Sequence, residues 1–304
     1  EFNLFAKFQY TFNDKLYGFV DLQNRNINYD AELIGGNNIN KSFNFFNPKA
    51  GLYYKLNSNN EFYFSFARAH REPTRTDYEN GNPFPEMLDD FELGWKYKGK
   101  KSIYNINLYF MDYNDQLVLT GERDDVGYYI RANVGESYRA GIEFDGVFFI
   151  DDYFTIKPNI TFSSNKNSDY LTQFDGSLRN FGKTDISFSP NLIFGNSVEY
   201  NLNSKTLLFF NTKYVGKQYM SNTNVESSVL ASYLVNDLGL NYNFSIPGFS
   251  QDSEFKILVN NLLNQKYESY GGHYFYDIDN KTYSGSYFYP MAEINFLLGL
   301  DFNF

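Results

Sequence analysis

The 304-residue sequence predicts an all-β fold, a transmembrane antiparallel β-barrel with about 13 strands present. Three observations carry that prediction. At the C-terminus Ile294, Phe296, Leu298, Leu300, Phe302 and Phe304 are apolar, and Asn295, Gly299, Asp301 and Asn303 between them are small or polar. A period of two is a strand with two unlike faces. Secondly, short turns alternate with long polar loops along the whole chain, the asymmetry of barrels whose short turns lie on the periplasmic side. Thirdly, aromatics make up 20% of the residues while mean hydropathy is negative. No apolar run approaches the roughly 18 residues of a membrane helix.

The elements follow in order. A strand at 1–12 alternates Phe2, Leu4, Ala6, Phe8, Tyr10 and Phe12 with Asn3, Lys7, Gln9 and Thr11. The turn Asn13-Asp14-Lys15 reverses it into a strand at 16–26, and a loop is expected at about 26–44. Strands at 45–56 and 61–70 flank Asn57-Ser58-Asn59-Asn60, with a loop at 70–88. Strands at 88–97 and 102–118 flank Lys98-Gly99-Lys100-Lys101, with a loop at 120–131; Tyr104, Ile106, Leu108 and Phe110 alternate with Asn105, Asn107 and Tyr109. Strands at 132–148 and 153–164 flank Ile150-Asp151-Asp152, with a loop at 164–184. Strands at 185–200 and 205–217 flank Asn201 to Ser204, with a loop at 217–231. Strands at 232–246 and 253–262 flank Pro247 to Asp252, a loop covers 268–286, and a final strand covers 287–304.

A charge in mid-strand is costly against lipid, so parity assigns Arg139, Gly141 and Glu143 to the lumen and Ile142 to the membrane. On that basis an Arg at position 141 is expected to cost far less than one at 142, provided the lumen has room for it. An odd strand count makes the first and last strands parallel, which does not close an antiparallel barrel. Because Glu1 falls inside a strand pattern, residues 1–304 are expected to be the C-terminal portion of a larger barrel. The absence of Cys excludes disulfides and thiolate metal sites, and a formal charge of −10 argues against nucleic acid as a partner.

Four segments carry a family resemblance. Pro85-Glu86-Met87-Leu88-Asp89-Asp90-Phe91-Glu92-Leu93-Gly94-Trp95-Lys96 resembles a loop-to-strand segment of TonB-dependent outer-membrane receptors. Asn133-Val134-Gly135 through Arg139-Ala140-Gly141-Ile142-Glu143 resembles another shared segment of that family. Val259-Asn260-Asn261-Leu262-Leu263-Asn264-Gln265-Lys266-Tyr267 resembles its penultimate-strand signature, and Tyr289-Pro290 through Phe304 its terminal strand. The terminal segment looks closer to the iron-complex branch, and to Bacteroidetes-like members, than to glycan importers. The resemblance implies a 22-stranded barrel with an N-terminal plug, of which about nine strands and the plug are not in residues 1–304. It implies a bacterial outer-membrane location and TonB-coupled uptake of a ferric siderophore or similar scarce chelate. The chelate would be the transported ligand, with no cofactor, resident metal or catalysis. Implied partners are membrane lipid and lipopolysaccharide, TonB through the plug segment, and the barrel-assembly machinery through the C-terminal strand, with Phe302 and Phe304 as assembly signal. Alternatives are a passive porin of about 14 strands and a haem receptor.

The candidate ligand residues sit in two exterior loops. His70, Arg71, Arg75 and Tyr78 belong to the first; His273, Tyr274, Tyr276 and Tyr283, with Tyr287 beside them, to the last. Arg suits an anionic chelate and aromatic rings its apolar parts, whereas imidazole suits haem iron. The competing readings are an ordinary exposed polar residue for His70, and an aromatic girdle or loop packing for the tyrosines. Glu122-Arg123-Asp124-Asp125 and Asp277-Ile278-Asp279-Asn280 offer oxygen ligands for Ca²⁺, or simply solvated loop charge. Gly271-Gly272 reads as a loop hinge.

Overall fold

The structure is a computed structural model that describes residues 1–32, 38–123, 127, 129–174, 177–248 and 250–303. Among the described residues thirteen strands follow one another in chain order through one antiparallel sheet. They are β1 (Phe2–Thr11), β2 (Leu16–Glu32), β3 (Asn38–Lys55), β4 (Asn60–Arg71), β5 (Glu86–Lys98), β6 (Ser102–Asn114) and β7 (Glu136–Phe149). Then come β8 (Phe154–Asn167), β9 (Leu192–Asn203), β10 (Thr206–Val215), β11 (Tyr233–Ile246), β12 (Ser250–Asn260) and β13 (Asn295–Asn303). A two-residue strand, Thr184–Asp185, pairs beside β8. Among the described residues β1 pairs only with β2, and β13 only with β12.

The register sorts the side chains as parity requires. Leu52, Phe64, Leu93, Leu108 and Ile142 lie in one cross-strand row, all exposed. A row of exposed apolar side chains across five strands is a surface made for hydrocarbon. The adjacent row is Tyr53, Tyr63, Gly94, Asn107 and Glu143, on the opposite face. There the Tyr63 hydroxyl donates to Asn107 Oδ1 at 3.0 Å. Trp95 faces the membrane near the short turns, where its Nε1 donates to Asn60 Oδ1 at 3.0 Å and its ring packs on Phe62 and Tyr104.

Luminal glycines are packing partners for luminal rings. A Cβ on Gly94 would lie 1.9 Å from the Tyr63 ring, and one on Gly239 1.9 Å from Phe209. This corrects the expectation for Gly141. It does face the lumen, but a Cβ there would lie 2.6 Å from both the Tyr109 hydroxyl and the Phe162 carbonyl oxygen. The lumen face has no room for an Arg at that position.

Several element boundaries also differ from the expectation, β9 among them, which begins at Leu192 and not at 185. β2 and β3 stay paired up to Glu32 and Asn38, so most of the loop expected at 26–44 is strand. Its apolar alternation ends because cross-strand polar pairs take over: Asn24 Nδ2 to Asn44 Oδ1 at 2.7 Å, and Ser42 Oγ to Asn28 Oδ1 at 2.9 Å. The last wall strand begins at Asn295, not Tyr287. Residues up to Pro290 belong instead to an exterior ribbon, and proline cannot donate to a ladder. Buried apolar residues concentrate outside the wall: Val118, Val134 and Tyr170 form a core cluster flanked by Phe181.

Candidate functional site

The exterior loops fold into a cap. It contains a short helix, Arg75–Glu79, and four two-stranded ribbons. The ribbons are Leu117–Arg123 with Tyr129–Asn133, Leu171–Phe174 with Ser177–Asn180, Gln218–Tyr219 with Val229–Leu230, and Glu268–Ile278 with Lys281–Pro290. Alternation and aromatic content make these segments strands, but side-chain hydrogen bonds to backbone weld them together. Asn222 is the clearest weld. Its Nδ2 donates to Leu119 O at 2.8 Å, and its Oδ1 accepts from Ser187 N at 2.9 Å and from Asn167 Nδ2 at 3.3 Å. Asn133 binds both Phe84 N and Phe84 O, at 2.8 and 3.0 Å. Glu86 accepts from Leu117 N at 2.9 Å and from Arg71 at 3.2 Å.

The penultimate-strand signature anchors this cap to the wall. Asn261 and Asn264 both take left-handed backbone (φ +52°), which Asn tolerates better than most residues. Asn261 donates from its backbone to Asp237 and from its side chain to Gln265 O and Ala292 O. Asn264 Oδ1 accepts from Ile294 N at 2.9 Å, just before β13. The motif residues therefore fix the geometry between β11, β12 and β13.

The two loops singled out from the sequence meet. A cavity of about 360 Å³ lies between Thr74 and Thr76 of the first and Tyr270 and His273 of the last, closed by Arg131, Phe188 and Met220. Arg131 also borders a second cavity of about 510 Å³, lined by Asp77, Asn80, Glu122 and Leu171 among others. Its guanidinium stands 4.0 Å from Asp77, which is buried and accepts from Thr74 N and Oγ1 at 2.8 and 2.7 Å.

The candidate residues divide into three groups. Arg71 and Arg75 are exposed but paired, with Glu86 at 3.2 Å and Glu79 at 2.8 Å. Tyr78 is buried and stacked on Tyr29, and burial pushes its hydroxyl pKa up. His70 is half-buried, stacked on Phe45 at 5.0 Å and hydrogen-bonded through Nδ1 to Asn47 Oδ1 at 2.8 Å. It is a packed residue of β4, not an exposed polar one. Tyr274, Tyr276 and Tyr283 stack in a row along the last ribbon, at 6.2 and 5.7 Å. His273 lies beneath that ribbon, 2% exposed, edge-on to Phe275 at 4.7 Å.

Other expectations resolve plainly. Asp279 and Asn280, at φ +50° and +58°, make the two-residue turn of the last ribbon. Asp124, Asp125 and Phe304 lie outside the described residues. Gly271 is no hinge: it lies within the ribbon, where a Cβ would meet Tyr287 O at 2.4 Å and Met220 Sδ at 2.8 Å. Phe302 packs edge-on to Phe244 at 6.3 Å. Sequence reasoning missed Arg131, Phe188, Met220 and Tyr270 as cavity residues, since no local spacing joins four separate loops.

Comparison with known proteins places this geometry. The model of a TonB-dependent receptor-like β-barrel matches residues 1–262. The siderophore receptor PiuA of Acinetobacter baumannii superposes with a TM-score of 0.75 at 16% identity, over 99% of this chain and 42% of its own. The ferric citrate transporter FecA, unliganded, gives 0.73 at 17% identity, over 94% and 42%. The copper transporter OprC gives 0.74 at 15% identity, over 99% and 47%. The chain thus spans less than half the length of these structures. A search of curated protein sequences gives no match.

Proposed function

Because the chain belongs to the TonB-dependent receptor β-barrel family, we propose that it forms the C-terminal wall and exterior cap of an outer-membrane receptor for a ferric siderophore or similar scarce chelate. The observation that supports the reading best is the cap itself. A passive pore is served by an open mouth, whereas here two loops distant in sequence meet over a cavity lined by Arg131, Thr74, Tyr270 and His273. A cation, hydroxyls and rings around one space suit a ligand with anionic and aromatic parts. In this reading capture occurs at the cap, and TonB, acting through a plug segment, releases the cargo inward. Membrane lipid and lipopolysaccharide surround the apolar rows, and the C-terminal strand carries Phe302 and Phe304 to the assembly machinery. The superposed proteins are a siderophore receptor, a ferric citrate transporter and a copper transporter.

The test is uptake of radiolabelled iron by iron-starved cells carrying the intact protein. Accumulation from a ferric chelate that stops when the membrane is de-energised, and stops when the ribbon 268–290 is deleted, supports the reading. Uptake that survives de-energising, together with steady conductance in planar bilayers, replaces it with a passive porin. Uptake from haemin alone replaces it with a haem receptor.

A further inference from the structure

Of the short turns, Lys98-Gly99-Lys100-Lys101 alone concentrates positive charge, in a chain whose formal charge is −10. Short turns lie on the periplasmic side, so its ammonium groups stand at the inner rim of the wall. All three lysines are exposed, and none enters an ion pair among the described residues. The turn is held from both sides. Lys98 N donates to Asn59 O at 2.8 Å, Asn59 Nδ2 donates to Lys98 O at 2.7 Å, and Phe149 N donates to Lys101 O at 2.9 Å. Backbone bonds to both neighbouring hairpins thus fix where the three side chains leave the rim. The acids of the next turn are partly engaged already: Asp151 accepts from Tyr153 N and Phe154 N at 2.8 and 2.7 Å.

An aromatic plate runs up to this turn on the face turned to the membrane. Tyr97 and Tyr104 stack at 4.8 Å, Trp95 meets Tyr104 edge-on at 5.3 Å, and Phe148 lies 6.3 Å from Tyr104 on the other side. Register puts all four on the face of Leu108 and Ile142. Gly146, opposite Tyr104, keeps a side chain from standing between the rings: a Cβ there would lie 3.0 Å from Phe148 and 3.3 Å from Tyr104. Gly99 makes room in the same way for Tyr97, whose hydroxyl would be 2.5 Å from an added Cβ. The plate therefore ends in a phenolic O–H within the lysine turn. Rings at the hydrocarbon boundary with ammonium groups beyond them match the order of chain, glycerol ester and phosphate in a lipid. We propose that turn and plate form a site for one anionic phospholipid of the periplasmic leaflet. Its phosphate sits among Lys98, Lys100, Lys101 and the Tyr97 hydroxyl, and its glycerol and upper chains lie on Tyr104 and Trp95. A soluble anion would leave the rings idle, and an acidic protein would have to reach them through lipid. The site is independent of what the cap captures.

Native mass spectrometry of the intact receptor, titrated with lipid in detergent, resolves each bound lipid. The probes are dioleoyl phosphatidylglycerol and dioleoyl phosphatidylcholine, alike in chains and unlike in net charge. Each lysine near an anionic lipid strengthens binding several-fold, so the first phosphatidylglycerol is expected to bind at least about tenfold tighter than the first phosphatidylcholine. Lys98→Gln, Lys100→Gln and Lys101→Gln together should abolish that preference, and they change only exposed side chains. Tyr97→Phe should weaken phosphatidylglycerol and leave phosphatidylcholine as it was. Lys15→Gln, on another short turn, should change neither. Equal affinities for the two lipids, or a preference that survives the triple substitution, overturns the proposal. So does equally tight binding of glycerol phosphate, which carries the charge without the chains. Loss of a co-purifying acidic protein from the triple variant, with its lipid preference intact, assigns the turn to a protein partner instead.

Discussion

The wall and the cap use the same secondary structure under opposite burial rules. In the wall, Leu298 is 73% exposed and Phe296 66%. In the cap, Ser228 is 0% exposed and Asn222 1%. The wall turns apolar side chains outward because its surroundings are hydrocarbon, and its paired strands satisfy one another's backbone through the ladder. The cap stands in water, has short ribbons, and buries a small apolar core around Val118, Val134 and Tyr170. It closes its backbone accounts with Asn, Ser and Asp side chains instead. The wall is stabilised by its solvent and the cap by specific polar pairs, so the two should fail in different ways.

The largest expected effect breaks the wall's rule. Ile142→Arg puts a charge in the exposed apolar row and should cost about 2–4 kcal/mol near mid-membrane. Gly141→Arg faces the lumen but meets the Phe162 backbone, so overpacking should cost about 1–3 kcal/mol. Refolding titrations into lipid vesicles measure both. The contrast sharpens if Gly141→Arg responds to truncating Tyr109 and Ile142→Arg does not. An equal response of the two would mean that the faces are not separated as the register implies.

Next comes the cap's weld. Asn222→Ala leaves Leu119 O, Ser187 N and Asn167 Nδ2 without their shared partner. Leaving buried polar groups unmatched costs about 1–3 kcal/mol. The loss should appear as faster amide exchange and protease cleavage in residues 117–133 and 216–232, with the wall strands unchanged. Loss of protection spread evenly over the wall would show that the two regions are a single cooperative unit.

The same contrast explains what was legible beforehand. Wall residues announce their environment one at a time. Leu108 faces lipid and Asn107 the lumen by position alone, so strand number, direction, face and family signature were all readable. Strand ends were not readable where the surroundings change: Asn28 and Ser42 pair above the hydrocarbon and look like loop in the sequence. The cap was legible only as a set of loops. Asn222 reaches across 103 residues to Leu119, and Arg131, Phe188, Tyr270 and His273 come from separate segments. No periodicity encodes such a meeting. His273 drew notice as one of two histidines, but its Nδ1 meets Ser286, whose hydroxyl donates to the Ser227 carbonyl oxygen, and Ser227 is not local.

The smallest expected effect is on pH, and it separates the regions most finely. Burial pushes the His273 pKa below the ordinary histidine value, which is about 6.5 in an unfolded chain. With the folded value depressed, the unfolded state holds more protons across the interval between the two, so stability rises with pH there. His273's contribution is fully present above about pH 6.5 and drains away as the pH falls towards the folded value. Protection factors of the amides in residues 268–290, taken relative to the intrinsic rate at each pH, should therefore fall on acidification from about pH 7.5 to about pH 5, while those of β10 and β11, which lack histidine, hold steady. His273→Gln should flatten that response by removing the titrating group. A ribbon whose protection is as pH-independent as the wall's would mean that His273 is as easily charged folded as unfolded.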